Sequence, residues 1–389
     1  MKKTLIAVAA LVATGAFAQS SVTISGSFEA GFVSLDMKGQ KVLGVAHNMS
    51  STSGLNFGGT SDLGGGLKTS FKLGTDINPV SGSGNTGTAA NTVGAAGTGG
   101  ATATGLTNGT LGRFGGAESF VNLEGGFGKI ALGLPNGLGL GVHGTSQPFG
   151  TAYGSGFRST STGYTTLVRY DNSMRYDTKP LFGGLTLSFL GRKQQSDAAN
   201  ANYSESLGAQ NQAGVSELGA SYNAGPLNVA FARTTEDALN VKNAAAGTGV
   251  ITNGNKVIAN ALAANYTFGA ATVYAGWQNA KSSNNLNVGQ RDTAGVNLAA
   301  KYVMGTNTFM ANIGRVGGYI GAANFGTTNS ASLVGLGYEY ALSKTAAITA
   351  RYERVGDNAT LGAAAVTGYT AVAGNNDRSR MGVGLRVGF

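Results

Sequence analysis

Ser379-Arg-Met-Gly-Val-Gly-Leu-Arg-Val-Gly-Phe389 closes the chain and decides how the rest of it reads. Met381, Val383, Leu385, Val387 and Phe389 share one parity, and Arg380, Gly382, Gly384, Arg386 and Gly388 share the other. Side chains of an extended strand alternate with a period of two, so one face here is apolar and the opposite face carries only glycine and arginine. The edge strand of a soluble sandwich could bury that apolar face against a second sheet. A closed barrel in a bilayer instead turns it to lipid and turns the arginines to a wet interior.

The other terminus narrows the choice. Met1-Lys-Lys-Thr-Leu-Ile-Ala-Val-Ala-Ala-Leu-Val-Ala-Thr-Gly-Ala-Phe-Ala18 has two lysines, a short apolar run and a small-x-small exit. That pattern predicts a cleavable signal peptide over 1–18, cut between Ala18 and Gln19, and export from the cytoplasm. A membrane anchor is the alternative, but the run is too short to span a bilayer comfortably. One barrel domain, 19–389, is then expected, because a barrel cannot be cut into halves that each close. Loss of Lys2 and Lys3 with the signal takes the formal charge from +9 to +7.

Composition agrees. Charged residues are 12% of the chain, about half the usual share of a soluble domain, and glycine is abundant at 65 residues. No apolar run after the signal is long enough for a transmembrane helix. The lysines and arginines are scattered without clusters or interleaved aromatics, which argues against nucleic acid as a partner despite the basic balance. With no cysteine, neither a disulfide framework nor a thiol nucleophile is possible.

Alternating stretches recur along the chain and predict sixteen antiparallel strands, near 21–35, 49–61, 67–75, 113–123, 128–135, 165–177, 184–193, 215–223, 227–235, 256–267, 271–281, 293–303, 307–317, 331–341, 345–354 and 379–389. Short glycine turns such as Glu124-Gly-Gly-Phe-Gly128, Phe182-Gly-Gly184 and Phe268-Gly-Ala270 alternate with long polar connections such as 81–112, 194–214 and 355–377. Ala341-Leu-Ser-Lys344 is a less glycine-like turn. This alternation is the pattern of an outer-membrane barrel, with turns on the periplasmic side and loops outside. In 168–177 the outward parity is Val168, Tyr170, Asn172, Met174 and Tyr176. Tyrosines near strand ends are expected to form an interfacial girdle.

Few residue constellations suggest chemistry. Gly82-x-Gly84-x-x-Gly87 mimics a dinucleotide fingerprint but lacks the strand-to-helix context, so no cofactor is implied. His47 and His143 have no neighbouring second ligand and read as solvated loop residues rather than a metal site. No G-x-S-x-G elbow is present, and no catalytic residues are assigned, although a barrel hydrolase drawing residues from separate strands is the remaining enzymatic alternative.

What remains is a wall of ionisable groups at inward parity. Lys68, Lys72, Lys129, Arg169, Arg175, Arg192, Lys301, Arg351, Arg380 and Arg386 face Glu29, Asp171, Asp177, Glu217, Glu339 and Glu353, ten against six, or a net +4. In a water-filled pore such a field concentrates counter-ions. Alternatively many of them neutralise each other, with Arg169, Asp171 and Arg175 as the expected set. The segment from Pro135 to Gly163 holds no Asp or Glu; its charge is Arg158, with His143 as a possible partial charge. Folded inward it narrows a pore without adding an acidic wall; as an external loop it does neither.

Five pieces in order resemble a Gram-negative general-diffusion porin of the beta-proteobacterial type. They are Ser21-Val-Thr-Ile-Ser-Gly26, Gly59-Thr-Ser-Asp-Leu-Gly-Gly-Gly-Leu-Lys68, Phe120-Val-Asn-Leu-Glu-Gly-Gly-Phe-Gly128, Asn172-Ser-Met-Arg-Tyr176 followed by Pro180, and Gly384-Leu-Arg-Val-Gly-Phe389. The resemblance covers the whole chain and implies a sixteen-stranded barrel in the outer membrane, usually a homotrimer. It also implies that the third external loop, within Pro135 to Gly163, forms an internal constriction, and that 81–112 reaches a neighbouring subunit. Similar porins carry arginines on the second strand, where this chain has Gly54 and Gly58, and at the end of the fifth, where it has Leu134. Anion preference therefore rests here on Arg169, Arg175, Arg351, Arg380 and Arg386, with Lys72, Lys301, Asp171 and Glu339 as further lining. The expected function is passive diffusion of small hydrophilic solutes with a mild bias to anions. A plugged barrel acting as adhesin or receptor through its loops is the alternative.

Overall fold

The computed structural model describes residues 21–37, 40–80, 116–156, 168–193, 214–237, 256–283, 290–321, 329–357 and 378–389. The expected signal peptide, the segment 81–112 and Arg158 lie outside them. One antiparallel sheet closes on itself. Its strands are β1 (Ser21–Met37), β2 (Gln40–Ala46), β3 (Gly54–Gly64), β4 (Leu67–Asp76), β5 (Ser119–Gly125), β6 (Gly128–Leu134), β7 (Ser173–Asp177), β8 (Leu185–Arg192) and β9 (Gly214–Ala224). They continue as β10 (Leu227–Asp237), β11 (Lys256–Phe268), β12 (Ala271–Ser283), β13 (Gln290–Met304), β14 (Asn307–Gly321), β15 (Asn329–Ala341), β16 (Ala346–Asp357) and β17 (Arg378–Gly388). A helix, α1 (Leu138–Ser146), lies between β6 and β7.

These seventeen segments make sixteen staves, because β2 and β3 are two halves of one. β1 pairs with β2 from Gly31↔Ala46 to Met37↔Gln40, then with β3 from Ser27↔Gly54 to Ser21↔Thr60. Residues 47–53 leave the wall between them. The expected second strand, 49–61, is thus corrected at its start. The cause is side-chain capping: Asn48 takes the left-handed region at φ 61°, and its Oδ1 accepts the Ser53 N–H at 2.6 Å.

Closure joins the first and last strands. β1 pairs with β17 from Ser27↔Gly388 to Met37↔Arg378, and Gly26 and Phe389 exchange two backbone hydrogen bonds of 3.1 Å. With the last edge paired, no backbone row at this seam is left for lipid, which cannot hydrogen-bond it. The parity of the closing strand is as read: Met381, Val383, Leu385, Val387 and Phe389 are all exposed on the outer face. Outward Tyr266, Tyr302 and Tyr340 stand beside the short turns, where an interfacial girdle belongs. Tight turns use glycine where φ must be positive, as at Gly269 (58°) and Gly305 (59°). The glycine-poor turn after β15 instead uses Ser343, whose Oγ accepts N–H bonds from Thr345 (3.2 Å) and Ala346 (3.0 Å).

The sixth predicted strand, 165–177, shortens to β7. Asn172 at φ 50° turns the chain and cancels the alternation before Ser173. Tyr170, expected outward, is therefore fully buried inside the barrel, with its hydroxyl donating to Glu236 at 2.8 Å.

Candidate functional site

The segment 135–156 folds into the lumen and lies along its wall. Under α1, Leu138, Val142, Tyr170, Leu190, Val215, Ala230, Ala232 and Ala263 form a small apolar core within the barrel. Leu190, Val215, Ala230, Ala232 and Ala263 sit on the inward parity of β8 to β11, so apolar residues at positions expected to be wet are the seat of this helix. Burial of those side chains removes apolar surface from water and anchors the segment without a covalent link.

Polar groups then hold its backbone stave by stave. Glu217 on β9 accepts the Leu138 N–H at 2.6 Å and the Thr234 hydroxyl at 2.7 Å. Asn265, Asn297 and Asn312 donate to the carbonyls of Thr145 (3.0 Å), Ser146 (2.7 Å) and Gly154 (2.9 Å). Glu353 on β16 accepts the Gly154 N–H at 2.8 Å. Irregular backbone buried in a lumen needs such partners, since each unpaired group costs about 1–3 kcal/mol. Close approach needs the missing side chain of Gly335, where a Cβ would overlap the backbone of Gly154, itself at φ 98°.

The segment's far end meets the excursion in the second stave. Tyr153 donates its N–H to the Met49 carbonyl at 3.1 Å. Met49 is fully buried, and Ser50 and Ser51 donate their N–H groups to Glu29 at 2.7 and 3.3 Å. An inner belt thus runs from Asn136, beside β7, past β9 to β16 and on to the 47–53 excursion. Between its root and β1, β3 and β4 a cavity of ≈ 390 Å³ remains, lined among others by Ser27, Asn56, Lys72, Asp76, Glu118 and Arg169.

Seven of the ten inward cations are paired, though not as expected. Arg169, Asp171 and Arg175 do not form a set. Asp171 holds Arg192 at 2.7 Å, Arg175 binds Asp177 through Nε and Nη2 at 3.0–3.1 Å, and Arg169 lies 3.9 Å from Asp76 while its Nε donates to Asn136 at 3.1 Å. Lys72 binds Glu118 at 2.8 Å. Glu339 bridges Arg351 and Arg386, the latter at 3.0 Å, and Arg380 pairs with Glu353 at 2.8 Å while lying 3.8 Å from the Tyr153 ring centre. Lys301 is half-buried at inward parity near the short-turn end and has no ion-pair partner among the described residues. Arg351 is buried with its guanidinium over Phe149, so it is not a water-facing charge.

Exposure sorts these pairs. In five of seven lumen pairs the cation is more exposed than its carboxylate, for example Lys72 37% against Glu118 19% and Arg380 23% against Glu353 1%. Arg192 and Arg351 are the two reversals. Burial pushes the Glu118 carboxyl up, but hydrogen bonds from Lys72 and the Asn136 N–H, with the charge of Arg175, hold it below the usual carboxylate range.

His143, read as a solvated loop residue with a possible partial charge, is buried in α1. Loss of water lowers its pKa to about 4, against the opposing hydrogen bond from Nε2 to the Gly150 carbonyl at 3.1 Å, so it is neutral near pH 7. Pro135, at the root, accepts the Tyr170 N–H at 3.4 Å. The described part of the inner segment therefore carries no charge of its own.

A closed sixteen-stave barrel with an apolar exterior, a charged lumen and an inner belt defines an outer-membrane pore protein. The family model described as Gram-negative porin matches residues 4–360, and the chain belongs to that family. It is 28% identical to outer membrane porin protein 32 of Delftia acidovorans over 403 aligned residues, covering 100% of both chains. Among solved structures it is similar to the anion-selective porin from Comamonas acidovorans, with TM-score 0.69 and 23% identity over 95% of this chain and 100% of that one. It also resembles the trimer form of OmpT of Vibrio cholerae, with TM-score 0.64 and 15% identity over 95% and 99%.

Proposed function

We propose that this porin is a water-filled channel for passive diffusion of small hydrophilic solutes and ions, with a mild preference for anions. The observation that carries the bias is the ordering within the ion pairs: Lys72, Arg169, Arg175, Arg380 and Arg386 stand nearer water than the carboxylates that neutralise them. A passing ion therefore meets positive charge first, while Glu217 and Glu353 bind backbone N–H groups of the inner segment. Pairing keeps the bias mild, because each carboxylate screens its partner within a few ångströms. The inner belt lies against one side of the lumen, so width, not a binding step, sets the size limit.

The working form is a homotrimer in outer-membrane lipid, exported with cleavage after Ala18; the trimer form of OmpT supports the trimer by likeness of fold, and the two lysines, short apolar run and small-x-small exit of the first eighteen residues support the cleavage. Planar-bilayer recording of the purified protein tests it. Stable open steps are expected, with a reversal potential in a salt gradient directed to anions. A silent bilayer would favour the plugged adhesin or receptor, and a cation-directed potential would remove the charge-ordering argument.

A further inference from the structure

Beside the root of the inner belt, four charged side chains stand in a row of alternating sign. Lys72 Nζ donates to one Glu118 oxygen at 2.8 Å, and the other Glu118 oxygen accepts the Asn136 N–H at 3.2 Å. The Asn136 side chain in turn accepts from Arg169 Nε at 3.1 Å, and Arg169 lies 3.9 Å from Asp76. Asn136 and Arg169 also pair through their backbones, which fixes the middle of the row. Lys72 and Asp76, at its two ends, are four residues apart on β4, or about 13 Å of strand.

All four line the ≈ 390 Å³ cavity between the belt's root and β1, β3 and β4. Each keeps between 19% and 37% of its side chain exposed, so a solute in the lumen can reach it. Gly54 and Gly58 lie in register with Asp76 and Lys72, and β3 therefore puts no side chain in front of either end of the row. Ser25 and Asn56, opposite one another on β1 and β3, add a hydroxyl and an amide to the same cavity.

The sum of the charges decides what such a row holds. Two positive and two negative groups cancel, so a simple anion or cation is attracted by one neighbour and repelled by the next. A solute that carries both signs a few ångströms apart gains from both at once. The gap between Arg169 and Asp76 exceeds hydrogen-bond length, so a carboxylate reaches the planar fork of Arg169 without displacing a hydrogen bond between the two. We infer that this row is a weak binding subsite for small zwitterions, of which an α-amino acid with an uncharged side chain is the simplest. Its carboxylate lies on Arg169 and its ammonium on Glu118 or Asp76, the carboxylates to either side. The cavity is at the small end of ligand pockets, which suits a solute of that size. The inference rests on reading the lumen as a water-filled pore, and it adds a saturable step for one class of solute.

Conductance of membranes holding many copies of the full-length folded protein tests the subsite. Neutral pH and about 0.1 M salt are used, so that screening acts only beyond about 10 Å. L-Alanine is the probe, with L-lactamide as its uncharged counterpart and L-lactate as the anion. Alanine should lower conductance along a saturating curve with its half-effect near ~10 mM, as a weak site requires. Lactamide should give only a shallow proportional fall, and lactate a half-effect about tenfold higher than that of alanine. Asp76→Asn should raise the alanine half-effect several-fold while lowering that of lactate, because the row then carries net positive charge. A residue that only held the wall would move both in one direction. Arg169→Gln leaves the row net negative and keeps the test open if Asp76→Asn does not fold. It should weaken alanine and give the cation L-alaninamide a saturating effect that wild type lacks. A conducting protein on which alanine and lactamide act alike, or on which lactate saturates where alanine does, overturns the inference and leaves the pore standing. So does either variant, folded, with the wild-type order of solutes. A silent membrane removes the pore reading and this inference with it.

Discussion

The wall under the inner belt and the wall across from it use the same residue types to opposite ends. On β9 to β16, Glu217 and Glu353 are buried and bind backbone N–H groups, Asn265, Asn297 and Asn312 bind carbonyls, and Gly335 makes room. On β4 to β7, Lys72 and Arg175 turn toward water with their carboxylates behind them. A carboxylate in this barrel is therefore structural or electrostatic according to what reaches it first. Glu217 meets only neutral donors, Glu353 meets one backbone N–H and Arg380, and Glu118 on the open side meets the Asn136 N–H and Lys72.

Acidification should separate the two walls most strongly. His143 is neutral in the fold with a pKa near 4, against an ordinary value of 6.5. The unfolded chain takes up its proton first, so stability is full above about pH 6.5 and falls as pH drops toward 4. That difference corresponds to about 3 kcal/mol. His143→Gln should flatten this part of the stability curve in denaturant titrations across pH; an unchanged slope would place His143 in water.

Gly335→Val comes next, because its side chain would overlap Gly154. Displacing the belt should cost about 2 kcal/mol and change single-channel conductance, with noisier open levels. A variant with wild-type steps would mean the belt is not held at this point. Glu217→Ala leaves the Leu138 N–H and the Thr234 hydroxyl without their acceptor, so a loss of about 1–2 kcal/mol and faster proteolysis within 135–156 are expected.

The open wall should give the smallest effect. Lys72→Met with Arg175→Gln should move the reversal potential toward cations by a permeability ratio well under tenfold, since exposed paired charges contribute below about 1 kcal/mol. No shift at all would make these pairs structural, like those beneath the belt.

Much of this was legible from particular residues. Alternation in 379–389 predicted an apolar outside and an arginine inside, and the exposures follow it. Turn glycines located the hairpins. The excursion at 47–53 and the end of alternation before Ser173 were not legible, because each depends on one asparagine in a left-handed conformation, Asn48 or Asn172. The inner core was partly visible: Leu190, Val215, Ala230, Ala232 and Ala263 put apolar side chains at inward parity, which is a signal that something must cover them. Pairing of Asp171 with Arg192, rather than with its sequence neighbours, could not be read at all.

By itself the order of residues determined which face meets oil and which meets water, since that property repeats every second position and needs no distant partner. Only the tertiary structure decided where the belt rests, which arginines are covered and which carboxylate each one finds. Those outcomes depend on the stagger of neighbouring staves and on how far 135–156 reaches across the curved wall, and no local pattern encodes either.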